Sequence, residues 1–542
     1  MTPTRREVLT CFLGAAAASA CRHAAPAPVA GELLGPQLTR GHLLREPIVL
    51  PTELPTERVR VVVIGAGPAG LSASWRLLRG GLTAPGDVRV LELEDEVGGT
   101  SRSGSSPVSR YPWGAHYVPV PSARARSLIA LLDEVGVVTG RADDGAPIIA
   151  EEVLCRAPEE RLYARGFWHE GLYLHEGATE DDLAQHRAFA AEIARWAAFR
   201  DEHDRPAFAI PTSLASDDAE VSALDRVSMA AWMDARKLTS PRLRWLVDYG
   251  CRDDYGLSLD EASAWAGLFY FSARIGDAGK GSALMTWPEG NGRLVDHLRD
   301  KTGDRVRSGV TVVDVAEVAD GVRVASRDRD GAWRAIVAEQ AIVAVPRFVA
   351  QRIVGALRSK PSNLSIDYGS WIVANLHLHD RPVERSGTPF AWDNVIYDSK
   401  SLGYVVATHS RGIDRGPTVW TWYCALVGAD GQQPATRERL LSTTQREWTD
   451  VVLADLHRAH PNLRDVLDRL DVWRWGHAMV RPRVGVRSAL QAAKPWTPIG
   501  RTHFAHTDLS GIALFEEAND HGVRAAEEAL AALGIASRSL RT

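Results

Sequence analysis

The sequence is poor in cysteine. Five cysteines occur among 542 residues, and Cys11 and Cys21 lie close to the N-terminus. The other three, Cys155, Cys251 and Cys424, are far apart and form no CxxC pair. This spacing argues against a disulfide framework and against a cysteine metal site. We therefore expect no bound metal, and we expect these three thiols to be small buried apolar groups.

The chain also lacks an excess of charge of either sign and any internal repeat. It carries 63 Lys and Arg residues against 68 Asp and Glu residues, which gives no support for a nucleic-acid partner. A hydrophobic fraction of 45% is ordinary for a soluble globular protein, and the length predicts two domains, sequential or interleaved. The 17 tryptophans are many, and they either line a pocket or fill a large core.

Residues 1–21, MTPTRREVLTCFLGAAAASAC, have the features of an export signal. Arg5 and Arg6 precede a short Ala-rich segment that is too short to span a bilayer. Paired arginines fit a twin-arginine signal, and the residues before Cys21 resemble a lipoprotein cleavage box. We predict an exported protein, periplasmic or membrane-anchored facing the periplasm, and leave open whether Cys21 is lipidated. Residues 22–57, rich in Pro and Ala, are predicted to be a linker or arm.

A strand–helix–strand unit is predicted after this linker. Val59–Ile64 is a nearly continuous apolar run, typical of a strand that is buried on both faces of a parallel sheet. Leu71–Leu78 has helical spacing, and Val88–Leu93 predicts the second strand. The turn between the first strand and the helix reads GAGPAG, the spacing of a dinucleotide-binding loop.

Each glycine of this loop has its own predicted part. Gly65 permits the tight turn, Gly67 lets the backbone approach a pyrophosphate, and Gly70 allows the helix to pack closely on the strand; Ala69, in the same loop, is a further candidate for cofactor binding. The N–H groups at the start of the helix then face the phosphates. Glu92, 22 residues after Gly70, is placed to bind the hydroxyls of an unphosphorylated ribose.

Taken together, VVVIGAGPAGLSAS and VLELEDEVGGTSRS resemble the opening of the flavin amine oxidase superfamily, which includes monoamine and polyamine oxidases, protoporphyrinogen oxidase and phytoene desaturases. The resemblance implies that Gly98 and Gly99 lie on the diphosphate side of FAD. Members usually have Gly-Gly-Arg, whereas this chain has Thr100 in the third place, so Arg102 is the nearest candidate for a phosphate-facing arginine. The alternative for Arg102 is a solvated surface position.

Later segments are similar to other parts of the same superfamily. Val310–Asp314 resembles the strand that lies against the adenine, which implies a contact of Val312 with the cofactor. Residues 504–526 resemble the C-terminal FAD segment, which puts Asp508 at the ribityl or phosphate region and points the helix that begins before Gly522 at the flavin pyrimidine edge. Residues 471–503 contain no cysteine, so we predict a non-covalent FAD, unless a histidine is used.

The resemblance implies an α/β fold with a discontinuous Rossmann-like FAD-binding domain. This domain comprises residues 58–125, 281–350 and 471–542, in three separated blocks. Residues 126–280 and 351–470 are predicted to form an α+β substrate domain, with an antiparallel sheet and helices.

The reactive side of the flavin is predicted near a Gly-Ala-His segment. Residues 111–117 resemble the Gly-Ala-His segment that runs beside the isoalloxazine in the same superfamily, which implies that Gly114 lies along the ring, and His116 is the candidate acid, base or orienting donor. A hydrogen-bonded structural histidine is the alternative for His116. Candidate substrate-pocket residues are Trp113, Tyr255, Trp265 and Trp475. The stretch 245–271, which holds an Arg–Asp cluster, is either a pocket wall or a set of capped helix ends.

These observations predict an FAD-dependent oxidoreductase in which a small-molecule substrate passes a hydride to flavin N5, with oxygen or a membrane acceptor taking the electrons. The favoured reaction is oxidation of a C–N bond in an amine or amino acid. One alternative is a desaturase or isomerase for a lipophilic substrate. The other is a non-catalytic flavoprotein.

Overall fold

The structure is a computed structural model that describes residues 28–275, 283–359, 364–428 and 433–541. The predicted export signal, with Arg5, Arg6 and Cys21, lies outside the described residues. Within these ranges the three cysteines are free thiols, and no cluster of His, Cys, Asp or Glu is arranged to hold a metal ion. No helix in the described part of the chain is long and apolar enough to cross a membrane.

The strands are numbered in chain order as β1 (Leu33–Leu34), β2 (Thr56–Ile64), β3 (Val88–Leu91), β4 (Ser103–Ser105), β5 (Arg110–Pro112), β6 (Tyr117–Pro119), β7 (Val138–Arg141), β8 (Pro147–Ile149), β9 (Glu160–Ala164), β10 (Phe167–Glu170), β11 (Leu284–Thr286), β12 (Val306–Arg307), β13 (Thr311–Val318), β14 (Gly321–Arg327), β15 (Trp333–Val343), β16 (Tyr368–Leu378), β17 (Asp393–Ile396), β18 (Tyr404–Val406), β19 (Thr418–Leu426), β20 (Leu467–Val480) and β21 (Thr502–Phe504).

The α-helices are α1 (Leu38–His42), α2 (Pro68–Arg79), α3 (Arg126–Val135), α4 (Glu180–Ala198), α5 (Ala219–Ala223), α6 (Met229–Ala235), α7 (Pro241–Tyr255), α8 (Ala264–Ser272), α9 (Gly292–Thr302), α10 (Arg347–Ile353), α11 (Gly355–Arg358), α12 (Gln433–Ser442), α13 (Gln445–Leu456), α14 (Val486–Ala493) and α15 (Phe515–Ala532).

One sheet carries the predicted dinucleotide-binding unit. Its order is β12-β3-β2-β15-β14-β13, and β21 pairs with the C-terminal half of β15. The strands β12, β3, β2, β15 and β21 pair in parallel, whereas β13, β14 and β15 form an antiparallel meander. Val61, Val62 and Val63 in β2 are fully buried. Val61 and Val63 pack in an apolar cluster with α2 and α15, and Val62 packs on the other face in a cluster with residues of β13, β14 and α10. The predicted α/β class is confirmed.

A second sheet has the order β1-β20-β16-β19-β18-β17-β9-β10. Its central strands are antiparallel, as predicted, whereas β1 with β20 and β17 with β9 pair in parallel. The predicted third block of the FAD-binding domain began at residue 471, but 471–480 lie in β20 of this second sheet. The chain returns to the first sheet only at β21, so that boundary was placed too early.

Helices α4–α8 form a separate layer with its own apolar core. Tyr255 and Trp265 are part of this core, and Pro241 is the first residue of α7, where its missing N–H costs no helical hydrogen bond. Thr179, Ser228, Ser240 and other N-cap side chains satisfy the first turns of these helices. The helical layer places the C-terminal end of α7 near the first residues of α15.

Candidate active site

The turn between β2 and α2 leaves backbone N–H groups available to a ligand. Gly65 has a φ of 97°, and a Cβ added there would lie 2.5 Å from the carbonyl oxygen of Ala344. Gly67 is the N-cap of α2, and no side chain caps the helix. Gly67 and Ala69 line a cavity of about 500 Å³, which we call the long cavity. The first turn of α2 is therefore a ready site for an anionic group.

Glu92, at the end of β3, also lines the long cavity. Its Oε2 accepts a hydrogen bond from the backbone N–H of Ala66 at 2.6 Å, and its Oε1 accepts from that of Glu94 at 2.9 Å. Burial raises the pKa of Glu92, and these two hydrogen bonds oppose the rise. Each carboxylate oxygen retains a lone pair for a ribose hydroxyl.

The second glycine turn closes the same end of the long cavity. Gly98, with φ of 113°, donates its N–H to the carbonyl of Ala66, while Gly99 and Thr100 line the cavity. Arg102 also lines it and is 8% exposed, so it is not a solvated surface residue. Its Nη2 donates to the carbonyl of Glu96 at 2.7 Å, and this hydrogen bond holds the guanidinium against the loop that contains Glu96.

Val312, predicted to contact the adenine, and Asp508, predicted at the ribityl or phosphate region, both line the long cavity. The Oδ2 of Asp508 accepts hydrogen bonds from Tyr368 Oη at 2.6 Å and from the backbone N–H of Arg347 at 2.7 Å. Burial raises the pKa of Asp508, but the nearby His506 and these donors together hold it below its ordinary value. The buried carboxylate is therefore ionised at neutral pH.

A smaller cavity, of about 140 Å³, adjoins the long cavity. We call it the small cavity. Residues that line both are Thr100, Ala115, Trp475, Ala478, Met479, Ala513, Leu514 and Phe515. A ligand that fills the long cavity therefore presents one end to whatever occupies the small one.

His116 lines the small cavity, and Gly114 lies beside it. The Nδ1 of His116 is 3.0 Å from the carbonyl oxygen of Gly114. Because a carbonyl only accepts, Nδ1 carries the proton and Nε2 of the neutral ring is an acceptor. Burial lowers the pKa of His116 to about 4, so the ring stays neutral near pH 7. His116 is thus suited to accept a hydrogen bond and poorly suited to take a proton.

Among the described residues, three carboxyl groups and one guanidinium also line the small cavity. The carboxyls belong to Asp253 and Asp254 at the end of α7 and to Glu516 at the start of α15, and the guanidinium belongs to Arg274. Arg274 Nη2 donates to both carboxylate oxygens of Asp254, at 2.9 and 2.7 Å. Within the described part of the chain, Asp253 and Glu516 form no ion pair.

Glu516 is the least satisfied of these carboxyls. It is 3% exposed, and its Oε1 has no hydrogen-bond partner among the described residues. Burial raises the pKa of Glu516 to about 7. Burial and the neighbouring Asp254 likewise raise the pKa of Asp253, whose Oδ2 lies 3.4 Å from Tyr270 Oη.

Several predicted site residues lie elsewhere. Tyr255 and Trp265 are buried in the helical core, where Tyr255 Oη donates to the carbonyl of Ala266, so neither lines a pocket. Trp113 packs on Trp473 outside both cavities, although its carbonyl holds the pocket-lining Trp475 through Nε1 at 2.6 Å. The prediction that Tyr255, Trp265 and Trp113 line the substrate pocket was wrong, because their rings pack within apolar clusters.

Gly522 does not reach the cofactor cavity either. A Cβ at Gly522 would lie 2.3 Å from the carbonyl oxygen of Ala69, so this glycine lets α15 pack on α2. Gly70 and Gly98 do not line the long cavity either: a Cβ on Gly70 would meet the carbonyl oxygen of Gly65 at 1.8 Å, and one on Gly98 would meet Val295 Cγ1 at 3.0 Å. The start of α15 does approach the site, through Leu514 and Phe515.

Sequence reasoning missed Arg274, Glu516 and the aromatic wall formed by Trp371 and Tyr423. It did single out 245–271, and this stretch supplies Asp253 and Asp254 to the cavity wall. The Glu516-Glu517 pair immediately after an apolar segment was the available signal for Glu516, since acidic residues in a buried first helical turn are uncommon.

Residues 33–45, which we call the arm, close one side of the long cavity. They fall within the predicted linker, but they form β1 and α1 and pack against both sheets. Pro36, Gln37, Leu38, Gly41, His42, Leu44 and Arg45 line the cavity. This part of the linker is therefore built into the site.

The residues of the long cavity fit a flavin dinucleotide. An uncapped helix start, a ribose-facing carboxylate and a buried ionised Asp508 are spread along one cavity that ends at a second, substrate-sized one. Fold and site together define a dinucleotide-dependent oxidoreductase.

Comparison with known proteins narrows this class. Residues 68–530 match the family model for flavin-containing amine oxidoreductases, and the chain belongs to that family. It is 25% identical over 508 residues to AofH of Mycobacterium tuberculosis (strain CDC 1551 / Oshkosh), which is named provisionally as a flavin-containing monoamine oxidase; the match covers 88% of this chain and 98% of AofH.

Solved structures show the same fold. Wild-type putrescine oxidase bound to putrescine aligns with a TM-score of 0.64 and 19% identity over 88% of this chain and all of that one. Cyclohexylamine oxidase from Brevibacterium oxydans aligns with a TM-score of 0.60 and 16% identity over 88% and 99% of the two chains. The protein is an FAD-dependent amine-oxidising enzyme with a non-covalent cofactor and a small-molecule substrate, as the sequence predicted.

Proposed function

We propose that this enzyme oxidises a short diamine, with oxygen as electron acceptor. The observation that supports the proposal is the charge of the small cavity. Among the described residues that line it, the one arginine, Arg274, forms its ion pair with Asp254 and acts on Asp253 and Glu516 only at longer range. Two buried carboxyl groups that lack a directly paired cation among the described residues favour a ligand that brings two ammonium groups.

The same charges argue against the other substrates considered from the sequence. An amino acid needs a free cation for its carboxylate, and the guanidinium of Arg274 already donates to Asp254. A lipophilic substrate of a desaturase or isomerase would leave the carboxyls of Asp253 and Glu516 buried and unpaired. Neither reaction therefore suits this cavity as well as amine oxidation.

In the proposed reaction, bound FAD supplies the hydride acceptor. The side chains orient the substrate and manage its charge. Because an ammonium nitrogen has no lone pair, the amine to be oxidised must first lose a proton, and Glu516, with a pKa near 7 raised by burial, is suited to accept it on Oε1. His116 Nε2 accepts a hydrogen bond from the substrate, and Trp371 and Tyr423 exclude water.

We further propose that the enzyme acts outside the cytoplasm. Arg5 and Arg6 support a twin-arginine export signal, and a lipid on Cys21 would anchor the protein to the membrane. A membrane electron acceptor is the alternative to oxygen in that compartment. Fractionation of cells that express the wild type or an Arg5→Lys, Arg6→Lys variant tests export, with loss of the mature periplasmic or membrane form in the variant as the expected result.

An anaerobic reduction experiment tests the substrate. Purified holoenzyme is mixed with short diamines, monoamines of equal chain length, amino acids or fatty acids, and loss of the flavin absorbance is followed. We expect rapid bleaching by diamines and slower bleaching by the matched monoamines. Fastest reduction by an amino acid would contradict the proposal, and so would reduction by no amine at all.

A further inference from the structure

We propose that the arm, residues 33–45, is a part of the FAD site that holds the cofactor in the long cavity. The arm lies before residue 68, where the match to the family model begins. It contributes one wall of the cavity, as described above. The proposal concerns retention of FAD and stands apart from the identity of the substrate.

One end of the arm is tied to the second sheet. Leu33 and Leu34 pair in parallel with Val472 and Trp473 of β20. Just before them, the N–H of Glu32 donates to Asp471 Oδ1 at 2.8 Å. Leu33 and Leu34 also pack against the apolar clusters of that sheet, so this end has both hydrogen bonds and apolar contacts.

The middle of the arm is tied to the loop that follows β3. The backbone N–H of Gln37 donates to Glu94 Oε1 at 2.9 Å. Arg40 donates through Nη1 to the carbonyl of Leu93 at 3.0 Å and through Nη2 to Asp95 Oδ1 at 3.0 Å. This loop begins with Glu92, whose Oε1 binds the N–H of Glu94, so the arm braces the ribose-binding carboxylate.

The far end of the arm meets the wall formed by α10. Arg352 Nη1 donates to the carbonyl of Leu44 at 3.1 Å, and Leu44 packs against the core of the first sheet. The arm therefore crosses the long cavity from one sheet to the other and is fastened on both sides. Release of a ligand past this wall requires the hydrogen bonds of Gln37, Arg40 and Leu44 to break, which slows dissociation.

Two variants of one residue test the contact between the arm and the loop. Gln37 has a φ of −71°, which proline also adopts, so Gln37→Pro removes the N–H donor to Glu94 with little change in the backbone. Gln37→Ala keeps this donor and loses only the exposed hydrogen bond from Nε2 to Asp95 Oδ2, so it should release FAD more slowly than Gln37→Pro. We expect FAD to leave the Gln37→Pro and Arg40→Ala enzymes about fivefold to tenfold faster than the wild type, measured by the rise of flavin fluorescence after dilution. Arg58→Ala, which removes an exposed ion pair on the first sheet, should release FAD at the wild-type rate.

A second measurement on the wild type does not depend on how well any variant folds. Trypsin cleaves after arginine, and Arg40 and Arg45 lie in the arm. We expect cleavage at these two sites to be at least several-fold slower in the FAD-loaded protein than in protein stripped of flavin, as judged by mass spectrometry of the fragments. Equal cleavage with and without FAD, or equal FAD release from Gln37→Pro, Arg40→Ala and wild type, would overturn the proposal.

Discussion

The Nη2 atom of Arg274 donates to both carboxylate oxygens of Asp254, at 2.9 and 2.7 Å, in the wall of the small cavity. Asp254 comes from the end of α7, whereas Arg274 follows α8. Because both groups are buried, the pair leaves no free cation for a substrate carboxylate among the described residues of this wall, and it sets the charge that the substrate must complement.

Loss of Arg274 should destabilise the fold strongly. In Arg274→Met, Asp254 keeps a buried charge without its partner, and we expect the free energy of unfolding to fall by about 3–5 kcal/mol. Urea unfolding measures this change. The double variant Arg274→Met, Asp254→Asn should recover part of the loss, and Arg58→Met, which removes an exposed ion pair with Asp320, should change stability little. A double variant no more stable than the single one would count against the pairing.

Glu516→Gln should slow flavin reduction by diamines and change its pH dependence. Burial raises the pKa of Glu516 to about 7, so the carboxylate that binds the ammonium is present above this pH and lost below it. We expect kcat/KM of the wild type to rise as pH increases through about 7, and we expect this limb to be absent in Glu516→Gln.

Glu517 provides the matched control for that experiment. It is also buried with its pKa raised to about 7, but both of its oxygens bind Thr212 and it lines neither cavity. Glu517→Gln should keep the wild-type pH profile for diamine reduction. Loss of the pH dependence in Glu517→Gln, or its persistence in Glu516→Gln, would show that Glu516 is not the group that titrates in the reaction.

Glu92→Ala should weaken FAD binding by at least about tenfold, because the ribose hydroxyls lose a charged acceptor and the turn at Ala66 loses a brace. Titration of the flavin-free protein with FAD, followed by calorimetry, measures the Kd. Glu339→Ala is the control, since Glu339 lies on the same sheet in an exposed ion pair with Arg60. An unchanged Kd in Glu92→Ala would refute the ribose assignment.

Trp265 and Trp475 should respond differently to truncation. Trp265 is 1% exposed inside the helical core, so Trp265→Ala should lower the free energy of unfolding by about 3–5 kcal/mol and leave KM unchanged. Trp475 lines both cavities, and Trp475→Ala should raise KM for the substrate. Thermal unfolding and steady-state kinetics on the two variants separate the effects. A large change of KM in Trp265→Ala would indicate that Trp265 does line the substrate pocket.

The cofactor side of the site could be predicted from the sequence because its chemistry is local. Gly65, Gly67 and Glu92 stand at fixed spacings on one strand–helix–strand unit, and their geometry follows from that unit. The substrate side depends on tertiary contacts. Trp265 could line a pocket or fill a core with equal plausibility, and its helical context does not distinguish these.

The ion pair of Arg274 with Asp254 and the position of Glu516 beside it could not be predicted from the sequence either, because three separate helical segments meet at the small cavity. The arm was missed for another reason. It has only a two-residue strand and a five-residue helix, too short for any periodic pattern, and contacts across the fold determine where it lies.

The parallel pairing of Leu33 and Leu34 with β20 has a further consequence for the solution behaviour of the protein. Without β1, β20 would be the edge strand of the seven strands that remain, with unpaired backbone donors and acceptors at Val472 and Trp473. Such an exposed edge strand pairs readily with a strand of another molecule. By pairing with β20, Leu33 and Leu34 protect this edge from self-association, and a protein that begins after residue 45 should form aggregates, measured by light scattering, that the 542-residue chain does not form.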